Sequence, residues 1–150
     1  MGVFCPGPGP AVFQGNCAAH VSTFGSLVFL SQSFATTVGQ GINVSFAWEP
    51  DGGTPSEFSV EFDVGTPQQR TLLDILNPTA SAYRVGTVHT TALLPITTLT
   101  FNVRDDSGDI FLDAVSAVAT PEPASLALLG VGLAGLWASL RRKTAESQAC

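Results

Sequence analysis

Four carboxylates fall within nine residues: Asp105, Asp106, Asp109 and Asp113. Calcium takes about six to eight oxygen ligands, and carboxylates on a turn supply several at once. Their spacing departs from the twelve-residue EF-hand pattern. Asp also favours turns on its own account, because its side chain hydrogen-bonds the nearby backbone. Two readings therefore stand: a structural calcium ion held by these four aspartates, or ordinary turn chemistry.

Other reactive residues are few. His20 and His89 are the only histidines. Neither they nor Cys5 and Cys17 fall into C-x₂-C or H-x₃-H ligand spacing. No G-x-S-x-G elbow and no H-E-x-x-H motif occurs. Glu61 and Asp63 alternate on one strand, as on a solvated face. A glycosidase would need two carboxyls about 5–10 Å apart in a cleft, and nothing in the sequence points to that pair. The expectation is a non-enzyme without a cofactor. Gly130, Gly132 and Gly135 spell G-x-G-x-x-G. That fingerprint binds dinucleotides only after a strand and at the start of a helix. Here it sits inside an apolar run. Trp48, Phe58 and Tyr83 could stack on a sugar, but Trp48 and Phe58 are in phase with core positions.

The elements that position these residues read as strands. Ile42, Val44, Phe46 and Trp48 alternate with Asn43, Ser45 and Ala47. The same period of two runs through Phe58 to Val64 and Leu99 to Arg104. Each run puts apolar side chains on one face, as a half-buried antiparallel strand requires. Weaker candidates are 27–34, 72–76, 83–91 and 110–118. PDGGTP (50–55) and DDSGD (105–109) are turn clusters that strands do not cross. Seven short strands at such spacing predict a mainly β fold, an antiparallel sandwich or barrel, and the strict alternation favours a sandwich of two sheets over residues 27–119.

Charge and cysteine narrow the classes further. Residues 1–120 carry ten acids against three bases, a net −7, whereas 121–150 carry three bases against two acids, a net +1. An acidic body is a poor partner for nucleic acid. Cys5 and Cys17 could pair in an oxidising compartment or stay free, and Cys150 is left over. No Lys or Arg precedes Arg70, and Pro6, Pro8 and Pro10 interrupt MGVFCPGPGP. The basic and then apolar leader of an exported protein is missing from this stretch.

The tail is the most informative part. Ala124 to Leu140, ASLALLGVGLAGLWASL, contains no charge. As a helix it is roughly 25 Å long against a hydrocarbon core of ~30 Å. The expected membrane anchor presents Ala124, Leu126, Leu128, Leu129, Val131, Leu133, Leu136, Trp137 and Leu140. Arg141, Arg142 and Lys143 form a basic stop that snorkels to the head groups and stays cytoplasmic. The body then faces the periplasm or the cell exterior, and only residues 144–150 remain inside. Pro121 and Pro123 remove two backbone donors and hold Glu122 in an extended segment at the start of the helix. A stiff peptide with one fixed carboxylate just outside the bilayer is easily read by a membrane enzyme.

With Pro121-Glu122-Pro123, an apolar run and Arg141-Arg142-Lys143 in that order, residues 120–143 resemble the PEP-CTERM sorting signal of exported bacterial proteins. The same element is also catalogued as an ice-binding protein C-terminal domain. The resemblance implies that exosortase, a membrane cysteine transpeptidase, recognises the chain and cuts near the Pro-Glu-Pro triplet. The body resembles a β-sandwich domain found before this signal, through LSQSFATTVGQ (30–40), DGGTPSEFSV (51–60), LTFNVRDD (99–106) and FLDAVSAV (111–118). Carbohydrate-binding jelly rolls end on a comparable Leu-Asp-x-Val-Ser, here Leu112 to Ser116, and this resemblance implies a jelly-roll-like sandwich. The family begins with a signal peptide and one or two further strands, so residues 1–26 are expected to be irregular or a remnant of missing strands, leaving an unpaired sheet edge. The expected function is a non-catalytic surface or matrix protein processed by exosortase, with exopolysaccharide as a further partner. The alternative is an anchored carbohydrate-binding module with structural calcium.

Overall fold

The computed structural model describes residues 1–5 and 12–120. They contain nine strands and belong to one compact unit, Met1–Thr120. The strands are β1 (Gly2–Phe4), β2 (Ala18–Val21), β3 (Val28–Ala35), β4 (Gly41–Pro50), β5 (Ser56–Phe62), β6 (Arg70–Leu76), β7 (Arg84–Thr91), β8 (Ile96–Asp105) and β9 (Ile110–Thr120). All pairings are antiparallel, in two sheets ordered β1-β2-β9-β4-β7 and β3-β8-β5-β6.

The alternation seen in the sequence becomes the core. Ile42, Val44, Phe46 and Trp48 from β4 meet Phe58, Val60 and Phe62 from β5 and Leu99, Phe101 and Val103 from β8. Each such side chain stabilises the sandwich by about 1.5–3 kcal/mol relative to exposure. The rings pack edge and face: Phe46 lies 5.2 Å from Phe101, nearly perpendicular to it. Gly86 sits opposite Phe46 on β7, where any Cβ would strike the phenyl ring. A glycine there is what lets a ring this large turn inward.

Two register shifts govern which side chains face in. Ser45 pairs with Ser116, but Ala47 pairs with Asp113, so β9 carries one extra residue beside Ala114, which has a φ of 49°. The bulge resets the alternation. Ile110 and Leu112 face inward before it, and Val115 and Ala117 line the inner side after it. A second shift lies at Val60/Glu61 on β5.

Residues 1–26, expected to be irregular or a strand remnant, contribute β1 and β2 to the five-stranded sheet. Strands of three and four residues are too short to display alternation. Cys5 and Cys17 form a disulfide that joins the two strand ends. β2 pairs with β9 only over Ile110–Leu112, so among the described residues the later part of β9 has β4 on one side and no strand on the other. There an apolar hollow of about 150 Å³ opens towards edge strand β3, lined by Leu30, Leu99, Phe101 and Val115.

One expectation is corrected here. Asp63 does not share a solvated face with Glu61. It is buried, with a φ of 55°, just beyond the end of β5. The left-handed backbone turns its carboxylate inward, where it accepts from Thr98 N (3.0 Å) and Arg70 Nη2 (3.3 Å). Arg70 also donates to Thr90 Oγ1 and the Thr91 carbonyl on β7. The pair therefore ties the two sheets together at one end.

Candidate functional site

Three regions bear polar or aromatic groups in positions that could bind. The first is the turn cluster between β8 and β9, with the facing β4–β5 turn. Asp106 takes a bidentate hold from Arg104 (2.8 and 2.7 Å) and accepts from Gly25 N (2.9 Å). These bonds keep its carboxyl low, at about 2, with the Arg104 hydrogen bond the largest cause. Asp109 Oδ1 accepts from His20 Nε2 at 2.6 Å when the ring carries its proton on that nitrogen. Asp113 Oδ2 accepts from the amides of Phe13 and Gln14, both at 2.9 Å. Asp105 is buried, accepts from Ser107 N through Oδ1, and leaves Oδ2 without a partner. The four aspartates named by the sequence thus hold four different positions. Among the described residues, no three His, Cys, Asp or Glu side chains converge on one point.

Sequence reasoning overlooked Asp51 in this region. Its carboxylate accepts from Gly53 N (2.9 Å) and from Asp109 N (2.7 Å), which bridges the two turns. The signal was present in PDGGTP, but it read as a turn and nothing more.

The second region is the outer face of the five-stranded sheet. Phe111 lies opposite both His20 on β2 and Glu49 on β4. Phe4, His20 and Phe111 form a ring cluster with centroids 5.1–6.4 Å apart. Nearby, Phe13 packs against Tyr83 at 5.7 Å. The Tyr83 phenol is pushed up to about 12, by burial first and then by the charges of Asp113 and Glu49. Rings and carboxylates therefore share this surface. Trp48 and Phe58 do not contribute to it, being core residues as their phase indicated. His89, also read from the sequence, is exposed on β7 and bonded to Asn43 Oδ1 at 2.6 Å.

The third region is the outer face of the other sheet. Phe29 is 68% exposed there, beside Ser31, Thr98, Thr100 and Asn102. It is a polar surface carrying one free ring.

The sorting triplet Pro121, Glu122 and Pro123, the anchor 124–140 and the basic stop Arg141–Lys143 lie outside the described residues, as does Cys150. Among the described residues no helix is long and apolar enough to cross a membrane.

Comparison with known proteins separates the two parts of the chain. Residues 119–143 match the family model of the PEP-CTERM protein-sorting motif. The chain therefore carries that motif, behind a β-sandwich. No curated protein sequence matches it. Solved structures share the fold of the sandwich. TmCBM61, solved in complex with β-1,4-galactotriose, is 16% identical, with a TM-score of 0.61 over 79% of this chain and 81% of its own. A family 16 carbohydrate-binding module is 16% identical, with a TM-score of 0.51 over 72% of this chain and 80% of its own. The enzymatically active domain of bacteriophage CBA120 tailspike protein 4 is 15% identical, with a TM-score of 0.56. That match covers 79% of this chain and 18% of the phage protein. At such identities the likeness establishes the fold alone: mainly β, in two antiparallel sheets.

Proposed function

We propose that the chain is an exported cell-surface or matrix protein whose tail is recognised and processed by exosortase, with a non-catalytic, jelly-roll-like body. The PEP-CTERM match over residues 119–143 carries this reading. On it, Ala124–Leu140 spans the bilayer and Arg141, Arg142 and Lys143 hold the C-terminus in the cytoplasm. Glu122 is then presented between two prolines at the outer surface, in backbone too stiff to join a sheet or extend the helix. The enzyme reads the triplet, and the body is the cargo. The Cys5–Cys17 disulfide supports delivery to an oxidising compartment.

The test is membrane retention. Expressed behind an export leader in a host without exosortase, the chain should stay in carbonate-washed membranes, and a version lacking residues 121–143 should leave them. Carbonate release of the complete chain would overturn the anchor.

A second reading is that the body binds carbohydrate. Its support is the exposed rings of Phe13, which packs on the half-buried Tyr83 just before β7, and of Phe29 on β3. The fold shared with a module solved in complex with a galactotriose is consistent with it. Affinity electrophoresis in gels cast with exopolysaccharide tests it. Retardation that disappears in either Phe13→Ala or Phe29→Ala supports binding and locates it. Mobility equal to that in plain gels removes this reading and leaves the sorting reading intact.

A further inference from the structure

We propose that Asp51 and Asp105 form a divalent-cation site, selective for calcium, that clamps the β4–β5 turn to the β8–β9 turn. Four observations lead there. Asp105 is 1% exposed, and its Oδ2 is a buried oxygen without a hydrogen-bond partner. Burial has stripped this carboxylate of water, and the backbone amides of Ser107 and Gly108 offset only part of that loss. Asp51 is its neighbour: Gly53 donates its amide to the Asp51 carboxylate, while a Cβ on the same glycine would strike the carboxylate of Asp105, and Asp51 acts on the Asp105 carboxyl by its charge as well. Two carboxylates so placed repel unless a positive charge lies between them.

The turns are also built to bring these groups together. A Cβ at Gly53 would strike the Asp105 carboxylate, and one at Gly108 would strike that of Asp51. Glycine at both positions lets backbone close over the carboxylates. Asp51 is already oriented by the amides of Gly53 and Asp109, one on each turn. Ser107 Oγ exchanges hydrogen bonds with Thr54 N and the Thr54 carbonyl, which fixes the spacing of the turns from a second point.

Oxygen-only donors on flexible turns suit calcium better than magnesium, which demands a tight octahedron, or zinc, which prefers nitrogen and sulfur. Two carboxylates, with water and turn carbonyls completing the shell, suit the weak sites of extracellular modules, with dissociation constants of about 10⁻⁴–10⁻³ M. Of the aspartates considered from sequence, Asp106 is neutralised by Arg104, Asp109 faces His20, and Asp113 is held by the amides of residues 13 and 14. Asp105 retains the free oxygen, and its working partner is Asp51. The proposal does not depend on the sorting reading.

The test uses the full chain in non-ionic detergent at neutral pH. Against a chelated control, calcium at a few millimolar should raise the melting temperature by roughly 4–10 °C, and magnesium by much less. Asp51→Asn and Asp105→Asn should each abolish the shift, while Asp74→Asn, at an exposed position on β6, should retain it. Calorimetric titration of the unmodified chain gives a readout that does not rely on the variants folding. No heat and no melting shift would mean that a shared proton neutralises the pair, and the site would be rejected. A shift that survives in both variants would place the ion elsewhere and also overturn the assignment.

Discussion

The Trp48 indole lies flat on the Phe58 ring, with centroids 4.4 Å apart and planes within 9° of parallel, and Arg84 covers the indole at 4.0 Å. The stack joins the two sheets, because Trp48 belongs to β4 and Phe58 to β5. Trp48→Ala should cost ~3–5 kcal/mol, as for other large buried rings. Arg84→Ala should cost only ~0.5–1 kcal/mol, since the guanidinium lies at the exposed end of the stack. Urea unfolding followed by circular dichroism measures both. Equal losses would mean that the cation, rather than ring burial, dominates.

The disulfide fastens a strand that buries little. Cys5 and Cys17 are separated by 12 positions, and every residue of β1 is exposed. Closing a loop of this size stabilises a protein by ~2–4 kcal/mol. The double Cys5→Ser, Cys17→Ser variant should fall at the low end, ~2 kcal/mol, because β1 can fray without opening the core. Hydrogen exchange should then accelerate at Gly2–Phe4 and Ala18–Val21 while β4 and β8 remain protected. Uniform loss of protection would show that the N-terminal strands are integral to the cooperative unit.

Tyr83 is the only tyrosine, so its titration can be read without overlap. Its phenol is pushed up from the ordinary value near 10 to about 12. A raised folded value favours the neutral form in the fold. The associated stability is therefore complete below pH 10 and is lost as pH rises towards 12. Tyrosinate absorbance should show a midpoint near 12 in the folded protein and near 10 in urea. Glu49→Gln should bring the folded midpoint down. A folded midpoint of 10 would remove Tyr83 from the ring-and-carboxylate surface described for the five-stranded sheet.

Much of the sandwich was legible because β4, β5 and β8 alternate strictly and are bounded by turn clusters. β9 was less plain because the bulge at Ala114 shifts its phase. Ile110 and Leu112 face in with one parity, Val115 and Ala117 with the other. β6 is blurred by a similar shift opposite Val60. The phase of Asp63 was misleading for a related reason: one residue at positive φ changes the face on which a side chain emerges. Candidate sites were harder to see. Asp105 was marked by its type, but its partner Asp51 lies 54 positions earlier, and the pairings of β4 with β9 and of β5 with β8 bring the two turns together. The Phe13–Tyr83 contact is likewise assembled by the fold. By contrast, the sorting motif is contiguous, so its resemblance to the PEP-CTERM signal was visible in the sequence itself.

Exosortase-dependent cleavage is the central claim, and the mass of the C-terminal fragment measures it most directly. The chain should be expressed behind an export leader in matched hosts with and without exosortase, beside a Glu122→Ala variant. The expected result is a body ending near Pro121–Pro123 only where the enzyme is present, with the complete chain to Cys150 in the other host and in the variant. A C-terminus at Cys150 in both hosts, from protein that has reached the membrane, would contradict it.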